Sequence, residues 1–366
     1  MTAIGAQNGK QAVFVGNYFR TSQTYGSVGR TVITQLRARG WEVLVTSAVA
    51  NKALRLLDML WSVVRWRARY DVAQVDVFSG PAFLWSSSVC AVLRALGKPY
   101  VLTLHGGNLP AFAAKHPERV RRTLRPAAAV TSPSEYLRAN LREYRDDIRI
   151  VPNIVNLGEH PFRVRETPAP RFVWVRAFHA IYNPTLVPRI VARLLSVVPG
   201  LHVDMIGPDK HDGSLEATRA ACASLGVADQ ITFVGAVPSD TVPGWLDKND
   251  IFLNTTFVDN TPVSVMQALA CGLPVVSTNV GGIPYALSHD VDALLVPPDD
   301  EEAMVREIRR ILGEPGLAGR LSRSGRERVA QCDPSVVGPQ WEEILTAAVE
   351  GVRTQVGANG QGGRHG

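Results

Sequence analysis

The stretch from Asp259 to Thr278 combines an acid, hydroxyls and an amide with the sequence pattern of a loop, a helix and a strand. Thr261 before Pro262 predicts a helix that Thr261 caps and that begins at Pro262, where the missing N–H group is not needed. Gly272 predicts the end of that helix, and Val275 begins a short buried strand. A helix amino terminus presents N–H donors and the positive end of a dipole, so this loop suits an anion such as pyrophosphate.

A second candidate site follows a predicted strand in the first half of the chain. His105, Gly106 and Gly107 come directly after the apolar segment 99–104. Ligands of open α/β sheets bind beyond the carboxyl ends of strands, and paired glycines let the backbone approach a ligand closely. The alternative is a structural histidine that is hydrogen-bonded within a turn.

The helix and strand of the first stretch resemble a known family signature. Residues 268–276 read Ala-Leu-Ala-Cys-Gly-Leu-Pro-Val-Val, which is similar to the signature of retaining GT-B glycosyltransferases of the family 4, group 1 type. That signature also contains two glutamates, and this chain carries Asp259 and Gln267 in their places. Asp259 keeps the charge on a shorter side chain, whereas Gln267 keeps hydrogen-bonding capacity without charge.

The resemblance implies an α/β protein of GT-B fold, with two doubly wound Rossmann-like domains facing a central cleft. It also implies transfer of a sugar from an NDP-sugar (UDP or GDP) to a glycan, a lipid-linked glycan or another acceptor, with retention at the anomeric carbon. No metal or other cofactor is expected. The triplet Asp290-Val291-Asp292 spells a metal-binding pattern of another glycosyltransferase class, but it lies in a predicted turn, and no other acidic or histidine cluster has ligand spacing.

The resemblance also assigns roles to individual residues. The predicted catalytic residues are His105 beside the transferred sugar, Arg176 on the donor diphosphate and Asp259 on the hydroxyls of the donor sugar. Tyr182 stands where relatives carry a second cation on the diphosphate, and Gln267 would contact the ribose. The predicted donor-binding residues are Gly26, Gly106, Gly107, Tyr182, Asn183, Asn260, Thr261, Val263, Ser264 and Gln267.

Several of these assignments, like that of His105, have structural alternatives. Asp259 could be an exposed loop acid and Gln267 a solvated helix residue. Arg176 could instead be a strand-end cation that pairs with a carboxylate. Gly26 lies in the loop 21–30, which could be a plain turn into a helix, since its glycines do not follow the dinucleotide-binding spacing.

Strands and helices alternate along both halves of the chain, which predicts parallel sheets. We expect an N-terminal Rossmann-like acceptor-side domain over 1–158, a proline-containing linker over 159–170 and a C-terminal nucleotide-sugar-binding domain over 171–334. The segment 335–354 is expected to form a helix that returns to the N-terminal domain, and the glycine-rich tail 355–366 to be disordered.

Composition restricts the partners and the compartment. A formal net charge of +6 and a pI of 9.3 favour an anionic partner, which could be a nucleotide-sugar, a phospholipid or a nucleic acid. The four cysteines are scattered without metal-binding spacing, which indicates buried, reduced thiols. The N-terminus lacks the apolar core of a signal peptide and no apolar run is long enough to span a bilayer, so we expect a cytoplasmic protein.

The segment Lys52–Tyr70 interleaves apolar residues at helical spacing with arginines and two tryptophans. Such a basic helix could contact an anionic membrane, which would make the protein peripheral to the cytoplasmic membrane face. Equally, its apolar face could pack on the sheet and leave a solvated basic end. A second basic cluster over 119–125 favours a membrane or an anionic acceptor.

Other functions stay open from the sequence. A GT-B sugar-nucleotide epimerase would share the fold without using an acceptor. A catalytically weak or inactive relative would bind a nucleotide-sugar without turnover, and the replacements at Tyr182 and Gln267 favour that alternative. No nucleic-acid partner is expected, because the basic residues lack an interleaved aromatic platform.

Overall fold

The computed structural model describes residues 10–18, 28–49 and 51–361, and it divides into two compact units. The first unit contains the described residues up to Ile154 together with those from Pro334 onward, and the second unit is Val155–Asp333. Each unit has one six-stranded sheet, and the strand pairings are parallel. The prediction of two doubly wound α/β units is therefore confirmed.

The sheet of the first unit has the strand order β2-β1-β3-β4-β5-β6. Its strands are β1 (Gln11–Val15), β2 (Glu42–Thr46), β3 (Val72–Val77), β4 (Tyr100–Leu104), β5 (Ala129–Ser132) and β6 (Arg149–Ile150). The α-helices of this unit are α1 (Val28–Ala38), α2 (Lys52–Arg65), α3 (Ala82–Ala95), α4 (Leu109–Lys115), α5 (Pro117–Leu124), α6 (Glu135–Leu141) and α14 (Pro334–Gln361). The order reverses direction at β1, which places a switch point between β1 and β3.

Both faces of this sheet are covered. Successive residues of a strand point to opposite faces, and β1 shows this directly. Val13 and Val15 belong to one hydrophobic cluster, whereas Ala12 and Phe14 belong to another that includes Trp341 of α14. The apolar residues of β1 therefore form a continuous run, as expected for a strand buried on both sides.

The sheet of the second unit has the order β12-β11-β10-β7-β8-β9. Its strands are β7 (Arg171–Val175), β8 (His202–Ile206), β9 (Ile231–Gly235), β10 (Ile251–Asn254), β11 (Val275–Thr278) and β12 (Leu294–Val296). Its α-helices are α7 (Leu186–Leu194), α8 (Ser214–Ser224), α9 (Val242–Asp247), α10 (Val263–Ala270), α11 (Ile283–Ala286), α12 (Glu301–Gly313) and α13 (Leu317–Val329). Here the order reverses at β7, so the switch point lies between β7 and β10.

The predicted linker over 159–170 differs from the structure. The chain passes to the second unit at Val155, and the following residues pack against that unit. Arg165 is fully buried, and its guanidinium donates to the carbonyl oxygens of Arg163 at 2.8 Å and Asn249 at 3.1 Å. Prolines at these positions break secondary structure without loosening the segment, because a buried arginine fixes it by its hydrogen bonds.

The last helix is longer than predicted. Helix α14 begins at Pro334, belongs to the first unit and continues to Gln361. Its helical backbone over 355–361 overlaps the start of the tail for which the sequence predicts disorder.

Helix α2 packs one face on the sheet and leaves a different apolar face uncovered. Met59 and Val63 are buried in the core. The uncovered residues, which we call the α2 stripe, are 56%, 61% and 63% exposed and are Leu54, Leu57 and Trp61. Within the described ranges, no helix has the length and apolar character needed to cross a bilayer.

Arg55 is not part of the basic surface that the sequence predicted for this helix. Its side chain is buried, with Nη1 donating to Asn17 Oδ1 at 3.0 Å and Nε to the Val49 carbonyl oxygen at 2.8 Å. Three exposed arginines lie at the carboxyl end of the segment, Arg65, Arg67 and Arg69, and Lys52 is exposed at its start.

Candidate functional site

The residues predicted to bind the donor phosphates meet at the switch point of the second sheet. Arg176 directly follows β7, and the loop that carries Asp259 follows β10, the neighbouring strand on the side where the order reverses. Crevices of this kind at the carboxyl ends of parallel strands are the usual ligand sites of open α/β sheets.

Arg176 and Asp259 form an ion pair. Nη2 of Arg176 donates to Oδ2 of Asp259, and the two side chains are only 13% and 11% exposed. Asp259 Oδ1 also accepts the Asn260 backbone N–H at 2.9 Å. The family resemblance predicted that Arg176 binds the donor diphosphate and that Asp259 binds the donor sugar. In the structure the two residues bind each other, which matches the alternative prediction for Arg176, a strand-end cation paired with a carboxylate.

Burial has the largest effect on the pKa of the Asp259 carboxyl. Desolvation raises the pKa of the Asp259 carboxyl above its ordinary value of 3.8, and the charge of Arg176 together with the Asn260 N–H opposes that rise. Arg176 has one unused hydrogen-bond donor, because its buried Nε has no hydrogen-bond partner among the described residues. A guanidinium has five N–H donors, so it can serve a second acceptor while it holds Asp259.

Tyr182 lies next to the pair. The Arg176 guanidinium carbon is 5.0 Å from the centroid of the Tyr182 ring, a cation–π arrangement. Thr255 Oγ1 donates to the Tyr182 carbonyl oxygen at 2.7 Å, which fixes the short turn that carries the ring. A neutral ring therefore lies beside Arg176 at the position where the family resemblance implies a second cation.

Asn183 is engaged in the structure of its own turn. It is buried and adopts a left-handed conformation with φ of 45°. Its Nδ2 donates to Asp299 Oδ1 at 3.1 Å, and its Oδ1 accepts from Thr185 Oγ1 at 3.1 Å. This amide is therefore already committed to contacts within the second unit.

Helix α10 begins one residue later than predicted. Pro262 occupies the cap position with φ of −70° and ψ of 115°, so the expectation that Thr261 caps a helix starting at Pro262 was wrong. The Pro262 carbonyl oxygen accepts the N–H groups of Val265 and Met266 at 3.1 and 3.2 Å. An extended ψ at Pro262 aims this carbonyl into the helix and makes Val263 the first helical residue.

The amino end of α10 presents unused donors. The N–H groups of Val263 and Ser264 lie in the first turn, where a helix offers no internal acceptor. Ser264 Oγ is buried and has no hydrogen-bond partner among the described residues. Gln267 follows one turn later and is half-buried. A buried hydroxyl without a partner at a helix amino terminus fits an anionic ligand.

A glycine pair after β11 supports this loop, and sequence reasoning gave it no role. A Cβ atom on Gly281 would lie 2.1 Å from the Asp259 carbonyl oxygen, and one on Gly282 would lie 2.0 Å from the Asn260 carbonyl oxygen. The Gly282 N–H donates to the Asp259 carbonyl at 3.1 Å. These two positions require glycine because the two loops touch through their backbones.

Buried hydroxyls beneath the loop were also missed by sequence reasoning. Thr278 Oγ1 donates to the Thr256 carbonyl at 2.6 Å, Thr256 Oγ1 to the Ile181 carbonyl at 3.2 Å, and Trp174 Nε1 to Thr255 Oγ1 at 3.0 Å. Polar residues at the ends of apolar strands were the available signal. They tie the ends of β7, β10 and β11 together and so fix the floor of the site.

In the first unit, His105 has a carboxylate partner that the sequence did not reveal. His105 Nε2 lies 3.1 Å from Asp76 Oδ1, and its ring stacks on Phe78 with 4.8 Å between centroids. Asp76 Oδ1 also accepts Gln74 Nε2 at 2.9 Å. The imidazole therefore has one nitrogen and one face fixed by the protein.

The backbone around His105 is shaped by glycine. Gly106 has φ of 83°, the left-handed region in which a side chain is strained. The Gly107 carbonyl oxygen accepts the Tyr136 hydroxyl at 3.3 Å. Across the switch point, Gly16 lies so close to Asp76 that a Cβ atom would be 2.2 Å from Oδ2. Gly26, the remaining predicted glycine, lies outside the described residues.

The Asp290-Val291-Asp292 triplet serves structure. Asp290 pairs with Arg310 at 3.1 Å, and Asp292 pairs with Arg328 at 2.8 Å. Among the described residues, no group of three or more His, Cys, Asp or Glu side chains could hold a metal ion. The four cysteines are buried and free, as predicted.

The chain matches two family models in succession. Residues 27–159 match the model described as Glycosyltransferase Family 4, and residues 169–314 match the model described as Glycosyl transferases group 1. Together they span most of the chain. The protein belongs to this family of GT-B glycosyltransferases and is a transferase enzyme.

Individual relatives agree with this assignment. The chain is 25% identical over 332 residues to the 2-deoxystreptamine glucosyltransferase of Streptomyces kanamyceticus, covering 83% of each protein. It is 23% identical over 338 residues to the D-inositol 3-phosphate glycosyltransferase of Thermobispora bispora, covering 83% of this chain and 78% of the relative.

Solved structures share the fold. Anabaena Alr3699/HepE in complex with UDP superposes with a TM-score of 0.73 at 13% identity, covering 92% of this chain and 100% of that one. The sucrose-phosphate synthase of Thermosynechococcus elongatus gives a TM-score of 0.74 at 19% identity, covering 95% and 100%. The predicted GT-B fold class is confirmed.

Proposed function

We propose that the protein is a retaining glycosyltransferase that moves a sugar from a UDP- or GDP-sugar to a glycan, a lipid-linked glycan or another acceptor. The observation that carries the proposal is a pair of unused hydrogen-bond donors at the switch point of the second sheet. Arg176 Nε and Ser264 Oγ are both buried without partners among the described residues. The complexes of Alr3699/HepE with UDP and with UDP-glucose support a nucleotide-sugar donor.

The chemistry requires donors aimed at the leaving phosphate. Breaking the anomeric C–O bond leaves negative charge on the β-phosphate, and preorganised donors in a buried site stabilise that charge. Arg176 and the backbone N–H groups of Val263 and Ser264 serve this role in the proposal. Pro262 has no N–H and contributes only its conformation.

Binding of the donor would change the role of Asp259. The diphosphate shares the guanidinium of Arg176, which weakens the hold of that residue on Asp259 and makes carboxylate oxygens available to the sugar hydroxyls. Gln267 contacts the ribose, and His105 contacts the transferred sugar. These assignments, with retention and independence from metal ions, extend the family resemblance.

The acceptor side of the proposal includes a membrane. The α2 stripe is apolar and exposed, and the same segment ends in the exposed charges Arg65, Arg67 and Arg69. Apolar side chains beside arginines suit the interface of an anionic bilayer. Replacing Leu57 and Trp61 by serine should reduce flotation with phosphatidylglycerol vesicles, while replacement of exposed Leu225 in the second unit should not.

The decisive experiment is a panel of UDP-, GDP- and ADP-sugars with the purified protein, scored by thermal stabilisation and by release of nucleoside diphosphate. We expect one donor to stabilise the protein and to be hydrolysed slowly, with unchanged rates in EDTA. Arg176→Ala should reduce turnover by about 100-fold or more, whereas Arg171→Ala, at the opposite end of β7, should not.

Other outcomes point elsewhere. Stabilisation without turnover, even with added acceptors, would indicate an inactive nucleotide-sugar-binding relative. Conversion of the donor sugar to its epimer would indicate an epimerase. No response to any nucleotide would contradict the donor site at Arg176 and Ser264.

A further inference from the structure

A second pocket lies in the first unit, remote from His105. It has a volume of about 500 Å³. We call it the basal pocket, and the side chains that matter for its chemistry are Arg94, Lys98, Tyr100, Arg125 and Arg145. The remaining lining is mostly glycine, proline and alanine, so the space between the cations is not filled by side chains.

The charge of this pocket has one sign. Four of its lining residues are cationic, and no aspartate or glutamate is among the lining residues that the structure describes. Like charges that share a pocket repel one another unless an anion lies between them. The basal pocket therefore has the electrostatics of an anion site.

The cations are held mostly by neutral acceptors. Arg94 Nη1 donates to Tyr100 Oη at 3.2 Å, and Lys98 Nζ donates to the Tyr70 carbonyl oxygen at 2.7 Å. The described residues include no hydrogen-bond or ion-pair partner for the guanidinium of Arg125, which is exposed at the end of α5. Neither of the two contacts neutralises charge.

Arg145 fixes the loop that carries Arg125. Its Nη1 donates to the carbonyl oxygens of Leu124, Arg125 and Ala127 at 3.2, 2.7 and 3.0 Å, and the other side of its guanidinium pairs with Asp147. The loop that carries Arg125 is fixed by these bonds. The backbone of Arg125 is therefore held in place before any ligand arrives, and its side chain extends from a fixed point.

The basal pocket lies at the opposite end of the sheet from His105. Pro99 and Ala128, which line it, immediately precede β4 and β5, whereas His105 follows the carboxyl end of β4. Five residues of strand span roughly 16 Å, so one ligand of the size of a phosphate cannot occupy both places.

We propose that the basal pocket binds a phosphate group, separately from the donor site. Arginine guanidinium groups form paired hydrogen bonds with phosphate oxygens, and Lys98 adds a point charge. Two sources share this chemistry: a free phosphate ion or phosphorylated metabolite, and a lipid headgroup. The chain after α2 runs through the exposed Arg67 and Arg69 to Tyr70, whose carbonyl oxygen accepts from Lys98. This site goes beyond the proposed transfer reaction.

The test uses two probes on the full-length protein. Inorganic phosphate is titrated by calorimetry, and vesicles of phosphatidylcholine with and without phosphatidylglycerol are tested by co-flotation. Arg94→Ala combined with Arg125→Ala should weaken binding at least about tenfold. Arg122→Ala is the control, because it removes an exposed arginine of the same helix that does not line the pocket.

A second pair of variants changes the pocket without removing any of its contacts. Ala347 is exposed on α14 and lines the pocket. Ala347→Glu places a carboxylate beside the cations and should abolish binding, while Ala347→Gln has the same shape without the charge and should retain it.

The outcomes separate the sources of phosphate. The pocket variants are the double variant Arg94→Ala with Arg125→Ala, and Ala347→Glu. If they lose phosphate binding but still float with vesicles, the ligand is a free phosphorylated molecule. If they lose flotation but still bind phosphate, the ligand is a lipid headgroup. The proposal is overturned if both probes bind the pocket variants as they bind Arg122→Ala and Ala347→Gln, or if neither probe binds the wild-type protein.

Discussion

At the scale of single residues, Arg176 and Asp259 neutralise each other's charge when no ligand is bound. A buried carboxylate without its arginine would carry a large desolvation penalty, and so would the arginine alone. The pair holds both groups in place until a diphosphate arrives. Its pH dependence gives a test that needs no substrate.

Asp259 should make stability fall as pH rises in the mildly acidic range. Its pKa is raised in the folded state above 3.8, so the folded state binds more protons than the unfolded state between 3.8 and the raised value. Stability decreases with pH wherever the folded state binds more protons. The Tm of the wild type relative to that of Asp259→Asn should therefore decline from about pH 4 upward.

The asparagine variant is the reference because it cannot titrate. Parallel Tm curves, or a relative gain by the wild type with rising pH, would contradict the raised pKa. Asp204→Asn, at another partly buried aspartate of the second unit, controls for the general loss of a negative charge.

Asp76 should act as a positioning residue for His105. With Asp76 accepting from Nε2, the neutral imidazole has its hydrogen on Nε2 and a lone pair on Nδ1. Asp76→Ala should lower kcat at least about tenfold, whereas Asp76→Asn keeps an acceptor oxygen and should lose less. Nitrogen-15 NMR of labelled histidine reads the tautomer directly. An unchanged tautomer in Asp76→Ala would refute the positioning role.

At the scale of elements, the start of α10 contains a residue, Ser264, whose side chain should lower the stability of the free protein and strengthen donor binding. Ser264→Ala removes a buried hydroxyl that has no partner among the described residues, so the stability of the free protein should hold or rise. The donor KM should increase roughly tenfold, since a charge-assisted hydrogen bond is lost. Thermal melts with and without the donor separate the two effects.

Ser322→Ala is the matched control. That buried hydroxyl accepts the Arg165 N–H at 3.1 Å and donates to the Gly272 carbonyl at 2.5 Å. Its removal should destabilise the protein by about 1–3 kcal/mol and leave the KM unchanged. If Ser264→Ala behaved in the same way, the hydroxyl would have a structural role instead.

Sequence patterns predicted the elements better than the contacts between them. Apolar runs bounded by glycine and proline indicated the strands, and the stretch after Asp259 indicated α10 to within a residue. The partner of His105 could not be found in this way, because Asp76 approaches it through the pairing of β3 with β4, where Asp76 lies opposite Thr103. Register is a tertiary property with no local signal.

The same reason explains the ion pair and the misplaced linker. Arg176 and Asp259 are far apart in the chain and meet only because β7 and β10 are neighbours in the second sheet. The segment with prolines at 161, 168 and 170 looked like a linker, but its one buried arginine, Arg165, decides its packing. The hydrogen bonds of this one buried charge hold the segment on the second unit, although its proline content predicted a linker.

At the scale of the whole molecule, the second unit is continuous in sequence and carries Arg176, Asp259, Ser264 and Gln267 together. It has its own sheet and a hydrophobic cluster on each face. A fragment spanning Val155–Asp333 should therefore fold alone and bind the donor without transferring sugar. Cooperative melting and a donor-dependent Tm shift would confirm this, and an unfolded fragment would refute it.

The first unit is assembled from two separated pieces of chain, and this affects how the protein is made. Phe14 of β1 packs beside Trp341 of α14, with 6.4 Å between ring centroids. During synthesis, all of the second unit leaves the ribosome before Trp341 does. The second unit can thus finish folding while the face of the first sheet that contains Phe14 still lacks α14. Strand β1 is then among the last of the described strands to be covered. A nascent chain stopped before α14 would expose this apolar face to chaperones and proteases.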